Sequence, residues 1–156
     1  MELPIINHKD YFAKIGDDHK FPIKKFEELA NYLIKIKIVE NFHIPYACSE
    51  ETLKRAHSES YIRHVKNKTL DPNSIKKIGF PLVDSVVKRS FIATGGTVLA
   101  SKLALDYRVA CNTAGGSHHA NFESGAGYCV FNDVAVAAKL LLDKGWVKRI
   151  LILDLD

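Results

Sequence analysis

The sequence is poor in the features that mark disulfide-rich, zinc-finger and membrane proteins. Its 156 residues include three cysteines, Cys48, Cys111 and Cys129, an odd number without CxxC spacing. This argues against a disulfide framework and favours a reduced, cytoplasmic protein. No apolar run approaches the ~20 residues of a membrane span, and the first residues lack the basic and apolar regions of a signal peptide. We therefore expect no membrane partner.

The chain also lacks a large excess of charge of one sign. The chain has 22 Lys and Arg residues against 18 Asp and Glu residues, and its basic residues cluster only in short pairs such as Lys24-Lys25. Nucleic-acid-binding domains usually carry a denser basic face, so we expect no nucleic-acid partner. With 47% hydrophobic and 26% charged residues, the composition is that of a globular domain with a packed core.

Helical periodicity dominates the first two thirds of the chain. Three helix starts are predicted at residues that favour helix N-termini: Pro22, Ser49 and Ser58. Residues 67–81 are polar and contain prolines and a glycine, which predicts a loop. Residues 82–105 predict a long helix, in which Gly95-Gly96 indicates either a close backbone approach or a break.

The last third of the chain predicts a β-α-β unit. The sequence predicts a strand over 107–112, a loop over 113–132, a helix capped by Asp133 and ended by Gly145, and a strand buried on both faces over 149–155. Such a unit predicts an α/β fold with a parallel sheet and a right-handed crossover. Because a sheet typically has ~5–6 strands, we expect the domain to continue beyond residue 156, a complete small domain being the alternative.

Asp154 and Asp156 are the first candidate functional residues. Side chains alternate along a strand, so both carboxylates are expected on one face, at the carboxyl end where α/β sheets bind ligands. Two neighbouring carboxylates repel each other unless a cation or an imidazolium compensates their charge. The alternative is a pair of solvated aspartates at a strand end.

A second candidate is the loop Gly115-Gly116-Ser117-His118-His119-Ala120, expected at the same edge of the sheet. Imidazoles suit acid–base chemistry at neutral pH. The alternative is a flexible loop with two surface histidines.

The third candidate is segment 125–133, in which an aromatic residue and a cysteine sit in a glycine-flanked loop before a helix. Tyr128 could wall an apolar slot. The alternative is an ordinary helix N-terminus with a buried Cys129.

In this order the three segments closely resemble the core of the histone deacetylase family. The matching patterns are G-G-x-H-H-A at 115–120, G-x-G-Y-C-x-F-N-D-x-A at 125–135 and I-L-D-L-D at 152–156. Weaker upstream similarities extend the resemblance to residues 19–156, closest to the bacterial and class IV branch. The resemblance implies an arginase-like three-layer α/β fold with a parallel sheet. Residues 1–156 would form the N-terminal part of one such domain, with its C-terminal half missing.

The resemblance also implies zinc-dependent hydrolysis of an N-acyl amide. Asp156 would be a zinc ligand, and Asp154 would hold His118 by a hydrogen bond and share a structural potassium ion with Asp156. His119 would be the general base, and His118 would act as an acid or supply electrostatic help. A zinc-activated water next to a neutral imidazole suits this chemistry.

Gly127 and Tyr128 would line a channel for an acyl-lysine-like chain. Acetyl-lysine, an acetylpolyamine and a longer acyl-lysine all suit a narrow apolar channel. Tyr128 stands where many members have Phe, which leaves the fine substrate preference open.

Several residues of the family site have no counterpart in the 156 residues. They are the His two positions after Asp156, a later Asp ligand and a Tyr that would stabilise the oxyanion. Because a catalytic zinc needs three protein ligands, we expect this chain alone to be inactive and to bind zinc weakly or not at all. Two alternatives stay open. One is a non-catalytic remnant that binds a partner or a separate C-terminal half. The other is an unrelated hydrolase with His118 and His119 as direct metal ligands.

Overall fold

The computed structural model describes residues 3–156, which are mainly helical. Its elements in chain order are β1 (Ile5–Ile6), a 3-10 turn (Lys9–Tyr11), α1 (Lys25–Lys35), α2 (Glu50–Leu53), α3 (Glu59–Asn67), α4 (Pro72–Ile78), α5 (Asp84–Tyr107), β2 (Cys111–Asn112) and α6 (Asp133–Asp143). Within residues 3–156, every helix is too short or too polar to cross a membrane.

The sheet is a parallel pair, β1 beside β2. Ile5 pairs with Cys111 and Ile6 with Asn112. The parallel arrangement agrees with the prediction. Strand β1 is an addition to it, because the first residues of the chain have no hydrophobic periodicity that would indicate a strand. The strand predicted at 107–112 is shorter than expected because α5 continues to Tyr107 and ends at Arg108, whose φ is 69°.

The strand predicted at residues 149–155 is wrong. This segment has no ladder partner within the described chain, and Leu151, Leu153 and Leu155 are 89%, 77% and 87% exposed. An apolar segment becomes a buried strand only where neighbouring backbones pair with it and side chains cover both faces. None of the elements in residues 3–156 does so, and the second half of the predicted β-α-β unit is therefore not formed.

Side-chain caps fix the starts of α2 and α3 as predicted. The hydroxyls of Ser49 and Ser58 accept hydrogen bonds from Thr52 N and Tyr61 N, each at 3.2 Å. At α1 the prediction is early, because Pro22 begins a turn whose carbonyl accepts from Lys25 N, the first helical residue.

Helix α4 replaces part of the loop predicted over 67–81. The Asp71 carboxylate caps the amides of Asn73 and Ser74, and Pro72 occupies the first turn. Gly79 closes the helix in the left-handed region at φ 81°. Proline and glycine therefore mark the two ends of a helix in this segment.

Helix α5 runs through Gly95-Gly96 without a break and forms the centre of the molecule. A Cβ at Gly95 would overlap the Tyr46 carbonyl oxygen, and one at Gly96 would overlap the Tyr11 hydroxyl. The close-approach interpretation of the glycine pair is therefore confirmed. Around α5 lies a core whose largest fully buried apolar members are Tyr11, Phe131, Ile6, Leu53, Ile62, Ile78, Val65, Val86 and Val136.

Helix α6 packs on α5, and Val136, Ala137 and Leu140 of α6 are buried. Its N-cap is Asn132, whose side-chain oxygen accepts from Ala135 N at 2.9 Å, and not the predicted Asp133, which is the first helical residue. The loop that carries the candidate residues thus ends at a capped and packed helix start.

Candidate active site

His118 and His119 lie side by side in the loop between β2 and α6. Their Nε2 atoms are 3.0 Å apart, and the ring centroids are separated by 4.0 Å in an edge-on arrangement. Adjacent side chains of an extended segment point in opposite directions. A turn brings these two together, in which His118 N donates to the carbonyl of Gly116, itself at φ 72°.

The two aspartates of the C-terminal segment reach this histidine pair. Asp154 Oδ2 lies 3.0 Å from His118 Nδ1, and Asp156 Oδ2 lies 3.4 Å from His118 Nε2. Candidate ligand atoms of His118, His119 and Asp156 all lie within 4.8 Å of one another. The candidate residues from the two segments therefore converge on one point, although no strand at 149–155 carries the aspartates there.

These contacts constrain the proton positions of the two imidazoles. A carboxylate only accepts, so the short Asp154 contact places a proton on His118 Nδ1. His118 Nε2 faces Asp156 Oδ2 at 3.4 Å and His119 Nε2 at 3.0 Å, so a His118 that carries a second proton on Nε2 can donate toward these atoms while His119 Nε2 accepts. Asp154 thus fixes the orientation of the His118 ring, as carboxylates hydrogen-bonded to a histidine commonly do.

Gly127 lies against the ring of His119. Its φ is 53°, and a Cβ there would sit 2.7 Å from His119 Cδ2. The amide of Gly127 donates to the Lys77 carbonyl at 3.0 Å, and the amide of Tyr128 donates to the Ile78 carbonyl at 2.7 Å. The C-terminal end of α4 therefore holds this part of the loop in place.

The ring of Tyr128 joins an aromatic cluster beside the histidines. Its centroid lies 5.1 Å from that of Phe21, 5.2 Å from Phe80 and 5.9 Å from His19. The residue is 36% exposed, so part of its surface faces the solvent. Tyr128 thus forms part of an aromatic surface together with Phe21 and Phe80.

An open groove of about 960 Å³ contains the histidine pair and both aspartates. Apolar and cationic side chains from α1 and α5 line it as well, namely Phe26, Leu29, Lys25 and Arg89. Gly127 and Tyr128 also border the groove, so all six candidate site residues face the same space.

Arg89 is a groove residue to which the sequence assigned no role, although it belongs to the weaker upstream similarity to the family. Its Nε donates to the Tyr11 carbonyl at 2.8 Å, and its guanidinium lies 4.6 Å from the centre of the Phe26 ring. Burial lowers the pKa of Arg89 to about 10, so the side chain remains cationic at neutral pH. A further signal in the sequence is the position of this arginine among the apolar residues of α5.

Cys129 is buried, as the structural alternative for segment 125–133 proposed. Burial raises the pKa of its thiol. A buried thiol with a raised pKa is a poor nucleophile at neutral pH.

Asp133 contacts the histidine loop directly. It is 1% exposed, and its carboxylate accepts hydrogen bonds from the amides of Gly116 and Ser117. Sequence reasoning explained this acidic residue as a helix cap and had no signal for a contact with residues 116–117.

Residues 19–156 match the family description "Histone deacetylase domain". The chain belongs to the histone deacetylase family. Over its full length it is 38% identical to an uncharacterized protein of Picosynechococcus, of which it covers 53%. It is 29% identical to histone deacetylase 2 of Arabidopsis thaliana over 93% of the chain and 40% of that protein.

The fold agrees with this family membership. The crystal structure of an HDAC homolog from Aquifex aeolicus superposes with a TM-score of 0.78 at 25% identity, over 93% of the chain and 42% of that structure. The expected deacetylase-like fold with a parallel sheet is therefore confirmed, and within residues 3–156 that sheet has two strands. The chain spans about half the length, or less, of the relatives that it matches.

Proposed function

We propose that this chain contributes the two histidines and two aspartates of a zinc-dependent deacetylase active site. The reaction would be hydrolysis of the N-acyl amide of an acylated lysine or polyamine. The observation that carries the proposal is the convergence of Asp154, His118, His119 and Asp156 on one point of the groove. Membership of the histone deacetylase family supports the same reaction.

The residues present fit a zinc ion. Zinc binds imidazole nitrogen and carboxylate oxygen at about 2.0–2.2 Å, so the ligands of one ion lie within about 4.4 Å of each other. The candidate atoms of His118, His119 and Asp156 lie within 4.8 Å of one another, so an ion bound by the Asp156 carboxylate would have both imidazoles beside it. In the proposed arrangement Asp156 is a ligand and the two histidines flank the reacting groups. A bound zinc would supply a water with a pKa of about 7 and polarise the acyl carbonyl.

The side chains of this chain would move the protons. His119 Nε2 would take a proton from the attacking water while the oxygen bonds to the acyl carbon. The amide C–N bond would then break, and His118 Nε2 would deliver a proton to the departing amine, giving a carboxylate and an amine. Asp154 would hold His118 in orientation throughout by accepting its Nδ1 proton.

The surface of the groove suits an aliphatic substrate chain whose acyl group reaches the histidines. Tyr128 and Phe21 form an aromatic wall, and Gly127 leaves room beside the His119 ring. Such a wall suits the aliphatic stem of acetyl-lysine or of an acetylated polyamine. We also propose a potassium ion held by Asp154 and Asp156, as the family resemblance implies.

A second candidate role for His118 and His119 is direct ligation of the metal, which their close contact favours. The Nε2 atoms of His118 and His119 lie only 3.0 Å apart, so the turn at Gly116 removes the geometric objection to adjacent ligands. In this alternative a loss of either histidine would remove the metal. In the acid–base assignment the metal would remain.

The missing ligands would come from residues outside this chain, in a partner half or a longer polypeptide. The exposed apolar side chains of residues 151–155 would pack against that part. The alternative is a remnant that binds such a partner without catalysis.

A chimaera tests the proposal. Residues 1–156 would be joined to the part of the Picosynechococcus relative that this chain does not match, and the product assayed on an acetyl-lysine peptide with and without a chelator. We expect chelator-sensitive release of acetate. Asp156→Asn should lower both zinc content and rate, and exposed Asp106→Asn should change neither. A folded chimaera that loads zinc but releases no acetate would support the remnant instead.

A further inference from the structure

The buried carboxylate of Asp133 is satisfied almost entirely by the histidine loop. Its Oδ2 accepts from Gly116 N at 3.1 Å and its Oδ1 from Ser117 N at 2.7 Å. The hydroxyl of Thr97 on α5 donates to Oδ2 as well. A carboxylate that is 1% exposed needs such donors, because an unpaired charge in the interior is strongly unfavourable.

The neighbouring Asn132 holds the other end of the same loop. Its Nδ2 donates to the carbonyls of His118, at 3.4 Å, and Ala120, at 3.2 Å. Its Oδ1 meanwhile caps α6 by accepting from Ala135 N. One side chain therefore fixes the helix start and the backbone of the histidine loop at the same time.

Together the two side chains hydrogen-bond to the backbone of residues 116–120 before, at and after the histidine pair. The loop passes so close to α6 that a Cβ at Gly115 would overlap Asp133 Oδ2. Helix α6 in turn is packed on the central helix α5, which makes it a rigid support.

We propose that Asn132 and Asp133 are positioning residues for the His118–His119 pair. Asp133 fixes the turn before His118 by accepting two amides, and Asn132 fixes the backbone at and after the pair by donating to two carbonyls. Without either, the two imidazoles lose their fixed separation and His118 loses its alignment with Asp154. The inference rests on the proposed function only in treating this pair as the reacting groups.

If Asn132 only capped α6, a substitution that preserves the cap would leave the histidine loop unchanged. Asn132→Asp keeps an excellent N-cap acceptor but can no longer donate to the His118 and Ala120 carbonyls. Asp133→Asn keeps the shape but offers one acceptor oxygen to two amides. Thr97→Val is the matched control, because it removes a donor from the same carboxylate and leaves both loop amides in place.

The test is NMR spectroscopy on the metal-free 156-residue chain. The readouts are the contact between the His118 and His119 rings, the contact of His118 with Asp154, and the exchange rates of the Gly116 and Ser117 amides. We expect Asp133→Asn to speed exchange of the two amides by about tenfold or more relative to the α5 amides. Both Asp133→Asn and Asn132→Asp should abolish the ring–ring contact, while Thr97→Val retains it at equal or lower thermal stability.

Retention of the ring–ring contact in folded Asn132→Asp and Asp133→Asn would overturn the proposal. Loss of that contact in Thr97→Val to the same degree would also overturn it, because the effect would then follow overall stability. If Asp133→Asn fails to fold, Asn132→Asp alone decides. No metal or substrate enters the experiment, so its outcome is independent of whether the chain belongs to an active deacetylase.

Discussion

His118 Nδ1 lies 3.0 Å from Asp154 Oδ2, a contact that joins the loop after β2 to the C-terminal segment. Asp154 also accepts from its neighbour, with Asp156 N donating to Oδ1 at 3.1 Å. One carboxylate therefore orients both a histidine and the backbone of the proposed zinc ligand. Asp154 therefore connects the histidine loop to the proposed zinc ligand.

Replacing Asp154 by Asn in the chimaera should lower kcat by about 10- to 100-fold, as expected for loss of a carboxylate behind a histidine. Asn can accept the His118 proton but carries no charge to hold it. The measurement is steady-state hydrolysis of an acetyl-lysine peptide, with Asp106→Asn as control. Unchanged kcat in a folded Asp154→Asn chimaera would show that this contact has no catalytic role.

Replacing Gly127 by Ala should displace His119, because the new Cβ would lie 2.7 Å from His119 Cδ2. Gly145→Ala is the matched control, since Gly145 has a similar φ of 67° and no heavy atom within 4 Å of an added Cβ. Both variants should lose roughly 1–2 kcal/mol of stability from the left-handed backbone.

Only Gly127→Ala should also lower kcat, by about tenfold or more, through misplacement of the base. Thermal unfolding and peptide hydrolysis by the two chimaeras separate the effects. Equal kcat values would mean that His119 does not need its present position.

The 156-residue chain by itself should not hydrolyse an acetyl-lysine peptide, even with added zinc. The proposed roles give it one zinc ligand, Asp156, where a catalytic site needs three protein ligands. The measurement is acetate release by the purified chain, beside the His119→Ala variant of the same chain. Turnover above that of the variant would refute the expectation.

The stability of the chain should fall as the pH drops below the ordinary pKa of histidine. His57 is 1% exposed, and burial lowers its pKa below the ordinary value of 6.5. The unfolded chain therefore binds this proton more readily, so the stabilisation is complete above about pH 6.5 and is lost as the pH falls toward the folded pKa.

The His57→Gln variant should show a smaller drop in the free energy of unfolding between about pH 7.5 and about pH 5.5, by up to about 1 kcal/mol. Gln can still accept the Asn132 amide, which His57 Nε2 accepts at 2.9 Å. Urea unfolding at both pH values gives the comparison. The same pH dependence in both proteins would exclude His57 as its source.

The local signals in the sequence predicted the helices better than the strands. Ser49 and Ser58 cap their helices through their own hydroxyls, so a few neighbouring residues determine the outcome. The strand at 149–155 was wrong because an apolar run becomes a strand only with partners, and the elements in residues 3–156 supply none. The sequence does not predict α4, because proline and glycine usually interrupt helices, whereas Pro72 and Gly79 are the boundary residues of this helix.

The sequence predicted which residues form the candidate site, but not the hydrogen bonds that hold them in place. The motifs singled out His118, His119, Asp154 and Asp156, and these side chains do converge. Their convergence depends on hydrogen bonds between distant segments and not on the predicted strand edge. The contacts of Asn132 and Asp133 with residues 116–120 were not predictable, because a local capping pattern accounts for both residues without any tertiary partner.

The most direct test of the central claim is to measure zinc content and peptide hydrolysis together in the His119→Ala chimaera. With His119 as the general base beside a metal held by Asp156, the rate should fall by about 100- to 10,000-fold while zinc content stays at the level of the unsubstituted chimaera. Loss of zinc together with the rate would make His119 a metal ligand and contradict the assignment, and an unchanged rate would contradict it as well.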